Sequence, residues 1–151
     1  ATANIGNEYT ATRVLDRALL DRFIVIEMDL LDKTQEFELL KMMFPKVETD
    51  LLDKIASIVA DTRSELAQEN PRISTHISTR ASVEMAGLAY DGFNLIECAE
   101  VTVYPQYDDA GGLDSERTFI KQVVQKYADD GSSDNLFNVE EESNEEYAHA
   151  Q

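Results

Sequence analysis

Apolar residues recur at helical spacing through most of the chain between positions 33 and 128. A spacing of three or four residues places apolar side chains on one face of a helix. The positions that mark the predicted helices are Phe37, Leu40 and Phe44; then Leu51, Leu52, Ile55, Ile58, Val59 and Leu66; then the segment "STRASVEMAGLAY"; then Leu95, Ile96, Ala99 and Val103; and finally Phe119, Ile120, Val123, Val124 and Tyr127. The pattern predicts a bundle of about five helices.

Local signals indicate where several of these helices begin and end. Pro45 stops the first helix, and the second ends before Pro71, because the residue that precedes a proline is disfavoured in helical conformation. Ser78 or Thr79 is a suitable N-cap for the third helix. The Asp91–Gly92 pair separates the third helix from the fourth.

A different pattern precedes this bundle. The segment "RFIVIEMD" is a continuous apolar run rich in β-branched residues, which is typical of a strand covered on both faces in a parallel α/β sheet. We predict a strand over residues 23–28, another over 1–5, and between them a helix capped by Thr12. Two strands do not complete a sheet. Because the chain begins "ATANIG" without Met, we expect further residues to precede it in a longer protein.

The segment from residue 129 to 151 contains eight acidic residues and no Lys or Arg. Its apolar content is too small to offset the entropy lost on ordering, so it is predicted to be a disordered acidic tail. An alternative is that Leu136, Phe137 and Val139 form a short docking motif.

Composition narrows the class of protein. The net charge of −17 over 151 residues disfavours direct contact with nucleic acid, which requires clustered Lys and Arg. The single cysteine, Cys98, lies in an apolar-patterned segment, which indicates a small buried side chain and a reducing compartment. No apolar run reaches the roughly 18 residues of a membrane span. We therefore expect a cytoplasmic protein without a membrane segment.

The usual patterns of enzyme active sites are missing from these residues. No GK[ST] sequence follows a glycine-rich loop, and His76 and His149 have no neighbouring metal ligands. The Asp108–Asp109 pair lacks the alternating oxygen ligands of a calcium loop. No metal site is expected.

Three arginines remain to be explained: Arg13, Arg17 and Arg22, beside the predicted strand over residues 23–28. An arginine beside a buried strand must be paired or must project from the strand edge, because an unpaired buried charge is costly. Asp16 and Asp21 could pair with these arginines. Alternatively, one guanidinium could bind a phosphate on a neighbouring subunit.

The order of three short motifs resembles a known family. A strand that ends in "ATAN", a helix that closes in "ALLDRF" and a helix that starts with "STRA" occur in this order in the C-terminal half of AAA+ ATPases. The resemblance covers residues 1–128 and is closest to the MoxR-like and cobaltochelatase ATPase-subunit (CobS-like) branch. It implies a mostly α chain in which residues 1–32 end an α/β core, residues 33–128 form a helical lid domain, and residues 129–151 are the tail.

The same resemblance assigns roles to individual residues. Asn4 matches sensor 1, which positions the attacking water, and Arg22 matches the arginine finger, which acts on the ATP of a neighbouring subunit. Arg80 matches sensor 2, which contacts the nucleotide of its own subunit. Arg13 and Arg17 are either auxiliary interface arginines or partners of nearby aspartates. The Walker A and Walker B motifs are absent from this chain, so on its own it should neither bind ATP tightly nor hydrolyse it.

The resemblance implies that the intact protein is a hexameric ring that binds ATP and Mg²⁺ and remodels a partner protein. A more specific form of this hypothesis is cobalt chelation for cobalamin synthesis, with chelatase subunits as partners. Two alternatives stay open. One is a stand-alone helical interaction module that dimerises through its N-terminal strands and has no ATPase activity; the other is a nucleic-acid motor that shares the same core.

Overall fold

The computed structural model describes residues 21, 22, 24, 26 and 28–128, which are mostly helical, as predicted. The chain divides into two compact units, Ala1–Leu30 and Leu31–Gln151. The described residues of the second unit form five α-helices: α1 (Lys33–Met43), α2 (Thr49–Leu66), α3 (Thr79–Tyr90), α4 (Leu95–Thr102) and α5 (Glu116–Ala128). Two short 3₁₀ turns, Tyr104–Gln106 and Gly112–Asp114, lie between α4 and α5.

Side-chain caps define the start of four helices. At α5 the hydroxyl of Ser115 accepts a hydrogen bond from the amide of Thr118. Asp32 begins α1 in a capping box with Gln35, and Asn94 begins α4 in the same way with Glu97. The hydroxyl of Ser78 accepts a hydrogen bond from the amide of Ala81 at the start of α3. In each case the side chain satisfies an amide that the first helical turn leaves without a partner. Ser78, and not Thr79, is therefore the cap of α3.

The turn from α3 to α4 uses the glycine that the sequence places there. Gly92 has a φ of 100°, a left-handed conformation that favours glycine. Its amide donates to the carbonyl of Ala89, and the amide of Phe93 donates to the carbonyl of Leu88. This pair of hydrogen bonds closes the end of α3 in a Schellman motif.

The core of the second unit receives side chains from all five helices. Helix α2 packs against α1, α3 and α5, and α4 packs against α3 and α5. The largest fully buried apolar side chains are those of Leu40, Leu52, Ile55, Ile58, Val59, Ile73, Ile77, Met85, Val103, Ile120 and Val124. Cys98 is also fully buried, and burial raises the pKa of its thiol, as expected of a small core residue.

The predicted buried strand over residues 23–28 is not present at the positions that the structure describes. Ile24, Ile26 and Met28 lie in no strand and are 93%, 79% and 89% exposed. A strand is completed by hydrogen bonds to a second strand, and the described residues contain none. The apolar pattern predicts burial from residue type alone, and it does not supply the backbone that would pair with this segment.

Other predictions concern residues outside the described part. These are the strand over residues 1–5, the helix that follows Thr12, and the tail over residues 129–151. The division of the chain at residues 32 and 128 also stays a prediction. None of the helices that the structure describes is long and apolar enough to cross a membrane.

Because α2 packs against three other helices, a cavity in its buried face should strongly lower the free energy of unfolding. Ile58 is fully buried, whereas Met42 on α1 is 75% exposed. We expect Ile58→Ala to lower the free energy of unfolding by about 2–5 kcal/mol, because it loses buried methyl groups and leaves a void. Met42→Ala should change it by less than about 0.5 kcal/mol. Urea denaturation followed by circular dichroism measures both, and equal effects would contradict the core described here.

Candidate functional site at the start of helix α3

The exposed residue Arg80 is the second residue of α3, in its first helical turn. The first turn of a helix has amides without helical partners and carries the positive end of the helix dipole. Ser78 and Thr79 precede Arg80 and contribute hydroxyl groups. A guanidinium in this position has the chemistry to bind an anion such as a phosphate.

Behind this turn lies a buried ion pair between α1 and α2. The carboxylate of Glu36 on α1 is fully buried, and the side chain of Arg63 on α2 is only 11% exposed. Nη1 of Arg63 lies 3.0 Å from Oε2 of Glu36. Removing two charges from water is costly, so this pair requires further hydrogen bonds to be stable.

Those further hydrogen bonds come from the start of α3. Nη2 of Arg63 donates to the hydroxyl of Thr79 at 3.1 Å, and that hydroxyl donates to Oε2 of Glu36 at 3.0 Å. The hydroxyl of Ser82 is placed to donate to Oε1 of Glu36 or to the carbonyl of Thr79. The ion pair therefore fixes Thr79, directly before Arg80, and Ser82, two residues after it.

Arg63 also reaches the residue at which the second unit begins. Its Nη1 donates to the carbonyl of Leu31, directly before the N-cap Asp32. The side chain of Arg63 on α2 thus connects the first residue of the second unit with α1 and α3. Its Nε is buried and has no hydrogen-bond partner among the described residues.

Residues 74–77, which lead into α3, form hydrogen bonds with side chains from α2, from α5 and from Tyr107. The amide of Ile77 donates to the buried hydroxyl of Thr62 on α2 at 3.2 Å. The hydroxyl of Tyr107 donates to the carbonyl of Thr75, and the amide of Ser74 donates to the carboxylate of Glu116 on α5. These contacts fix the backbone immediately before Arg80.

A second ion pair holds the beginning of the same segment. Arg72 binds the carboxylate of Glu65 through Nε and Nη2, and its guanidinium lies 4.0 Å from the ring centroid of Phe119. The hydrogen bonds from Arg72 lower the pKa of the Glu65 carboxyl. Glu65 therefore stays ionised and keeps this connection between α2 and α5.

His76 adds a titratable group to this end of the bundle. It is half-buried, and its pKa is lowered first by burial and then by the positive charge of Arg63. Glu36 balances the charge of Arg63, so Arg80 is the side chain that brings positive charge to the start of α3 in a chain of net charge −17. This end of α3 is therefore the candidate anion-binding site.

The other predicted site residues belong to the part of the chain before Leu31. Arg22 belongs to the first unit, where it lies in a turn and is exposed. Asn4, Arg13 and Arg17 lie outside the described residues. The predicted roles of Asn4, Arg22 and Arg80 stay predictions. Within the described part of the chain, no three potential metal ligands come together.

Sequence reasoning missed Glu36 and Arg63. Their signal was available: Glu36 lies four residues before the buried Leu40, and Arg63 lies four residues after the buried Val59. Each charge therefore occupies the apolar face of its helix. Two opposite charges on facing apolar stripes indicate a buried pair.

The chain is similar to a curated protein from Thauera aromatica described as putative chaperone BssE. The two sequences are 32% identical over 124 residues, which is 82% of this chain and 38% of the relative. The chain thus spans less than two fifths of the length of that relative. No protein-family model matches the chain.

The ion pair predicts an asymmetry between single and double substitutions. Arg63→Met leaves the Glu36 carboxylate buried without its partner, and we expect a loss of about 3–5 kcal/mol in the free energy of unfolding. The combined substitution Glu36→Leu and Arg63→Met removes both charges and should recover most of that loss. Urea denaturation of the three proteins tests this. A double variant as unstable as the single one would contradict the pairing.

His76 predicts a dependence of stability on pH. Its pKa is lowered in the folded state from the ordinary value of 6.5, so the unfolded state binds more protons in that range. The contribution of His76 is complete above pH 6.5 and is lost as the pH falls from 6.5 through the lower, folded pKa. Urea midpoints at about pH 7.5 and about pH 5.5 should differ less in His76→Asn than in the natural sequence. Glu65 acts below its ordinary value of 4.5, outside this window.

Proposed function

We propose that this chain is part of a ring-forming AAA+ ATPase of the MoxR-like and CobS-like branch, which uses ATP hydrolysis to remodel a partner protein in the cytoplasm. The observation that carries the proposal is the exposed Arg80 at the start of α3, held by the buried ion pair of Glu36 and Arg63. Similarity to a protein described as a putative chaperone also supports a remodelling role. Cobalt chelation for cobalamin synthesis is the more specific form of this proposal.

The residues at the start of α3 fit a nucleotide phosphate. The planar guanidinium of Arg80 can donate two hydrogen bonds to phosphate oxygens, and the amides of the first turn favour negative charge. In the assembled ring, Arg80 would bind the ATP of its own subunit. The Mg²⁺ that accompanies ATP would neutralise charge on its phosphates. The Walker motifs, which are not in these 151 residues, would belong to the rest of the longer protein.

Arg22 and Asn4 would act at the reacting phosphate. Arg22 is exposed, which leaves its guanidinium free of burial for contact with a neighbouring copy in a ring. From there it would stabilise the charge that develops on the transferred phosphoryl group. Asn4 would orient the attacking water of its own subunit.

One observation favours the second candidate function, a helical interaction module that dimerises through its N-terminal segment. Ile24, Ile26 and Met28 are 93%, 79% and 89% exposed, and large exposed apolar surface commonly marks contact with another chain. On this alternative the protein has no ATPase activity. Hydrolysis of ATP by the full-length protein separates the two functions.

The assigned arginines predict different defects in the full-length protein. Arg22→Ala should reduce the rate of ATP hydrolysis by about 10³-fold or more while ATP binding is kept, because an arginine finger acts on the transition state. Arg80→Ala should also weaken ATP binding. Steady-state hydrolysis and binding of a fluorescent ATP analogue measure these effects. Loss of both properties in Arg22→Ala, together with a lowered Tm, would instead indicate a role in folding.

A further inference from the structure

An open groove lies between the carboxyl-terminal half of α3 and α4. It has a volume of about 600 Å³. The residues that line it are Glu84, Gly87, Leu88, Tyr90, Asp91, Val101 and Thr102. The groove is separate from the start of α3, where Arg80 lies, because its α3 residues all belong to the later turns of that helix.

Two large apolar side chains in this groove are more than half exposed. Val101 is 70% exposed and Tyr90 is 53% exposed, and both face the same groove. Single exposed apolar residues are normal on protein surfaces, whereas neighbouring exposed apolar residues, even on a shallow surface such as this one, can mark contact with another protein. Tyr90 adds a hydroxyl group, and tyrosines of this kind are enriched at protein interfaces.

The walls of the groove are acidic. Glu84 and Asp91 are exposed, and neither forms an ion pair with a residue that the structure describes. The sequence around them contains no Lys, Arg or His from residue 81 to residue 116. That stretch holds eight carboxylates: Glu84, Asp91, Glu97, Glu100, Asp108, Asp109, Asp114 and Glu116. The groove therefore presents apolar surface between unpaired negative charges.

The negative charges of the groove disfavour some classes of binding partner and favour others. A second copy of the same groove would bring like charges together, in a chain that already carries a net charge of −17. Nucleic acids and anionic membranes are repelled for the same reason. A protein segment with apolar side chains on one face and Lys or Arg beside them complements both features of the surface.

We propose that this groove binds a basic amphipathic segment of a protein partner. Leu88, Tyr90 and Val101 contact its apolar face, and Glu84 and Asp91 pair with its positive charges. The inference rests on the proposed function in one respect: it identifies this segment as the part of the remodelled protein that the ATPase engages.

Direct binding to the full-length protein tests the inference without nucleotide. The probe is a fluorescein-labelled amphipathic peptide of leucine and lysine. Two further peptides serve as controls: one with glutamate in place of each lysine, and one with the same composition in scrambled order. Fluorescence anisotropy should detect saturable binding of the first peptide only, and the affinity should fall as the salt concentration rises.

Matched variants locate the binding site. Tyr90→Ser with Val101→Ser removes the apolar contacts, and Glu84→Lys with Asp91→Lys reverses the charges. Each pair should weaken binding by at least about tenfold, which corresponds to about 1.4 kcal/mol of binding free energy. The controls are Leu113→Ser, an 89% exposed apolar residue outside the groove, and Glu69→Lys, an exposed carboxylate outside it. These should leave binding unchanged.

Several results would overturn the inference. They are the absence of saturable binding, equal binding of the scrambled peptide, or equal affinity in the groove variants and the controls. Photocrosslinking from position 90 supplies another. Crosslinks to the protein's own remaining domain or to a second copy, in place of the peptide, would assign the groove to an internal or subunit interface.

The outcome is distinguishable from failure of the proposed function. ATP hydrolysis by the unaltered full-length protein, measured without peptide, tests only the ATPase assignment. A protein that binds the peptide in the groove but hydrolyses no ATP would contradict the ATPase and leave the binding surface established. A protein that hydrolyses ATP but does not bind the peptide would contradict only the surface.

Discussion

The fully buried carboxylate of Glu36 has to be neutralised, and the arrangement of the first three helices satisfies that requirement. Its charge is balanced by Arg63 on α2, and its remaining oxygen sites accept hydrogen bonds from hydroxyl groups of α3. An ordinary apolar contact would tolerate small shifts between helices, whereas a desolvated ion pair does not, because each lost hydrogen bond leaves a buried polar group. The pair therefore sets where α3 begins relative to α1 and α2.

Helix α3 consequently has two ends of opposite chemistry. Arg80 lies in its first turn, and the groove with Glu84 and Asp91 lies beyond that turn. On the two proposals made above, one end binds nucleotide and the other binds a protein partner. The helix has 12 residues and is therefore about 18 Å long, so a rigid-body shift of α3 would move both ends together.

The sequence predicts the helical part of this architecture well and the site only in part. Apolar spacing indicated all five described helices, and local chemistry indicated a cap at Ser78 or Thr79 and the turn at Gly92, because these signals act within a few residues. The strand over residues 23–28 was not found at the described positions, since strand formation depends on a distant partner. The pairing of Glu36 and Arg63 was not predicted for a related reason. The two residues are 27 positions apart, and only the packing of α1 on α2 brings them together. The groove was not predicted either, because it forms only where α3 packs against α4.

The central claim is that the start of α3, held by Glu36 and Arg63, is the part of this helical unit that contacts nucleotide. Amide hydrogen exchange of the full-length protein, measured with and without a non-hydrolysable ATP analogue, tests it most directly. The analogue should slow exchange in the first turn of α3, around Arg80, and leave the carboxyl-terminal turn of α2 little changed. Saturable binding of the analogue with no change in exchange around Arg80 would contradict it.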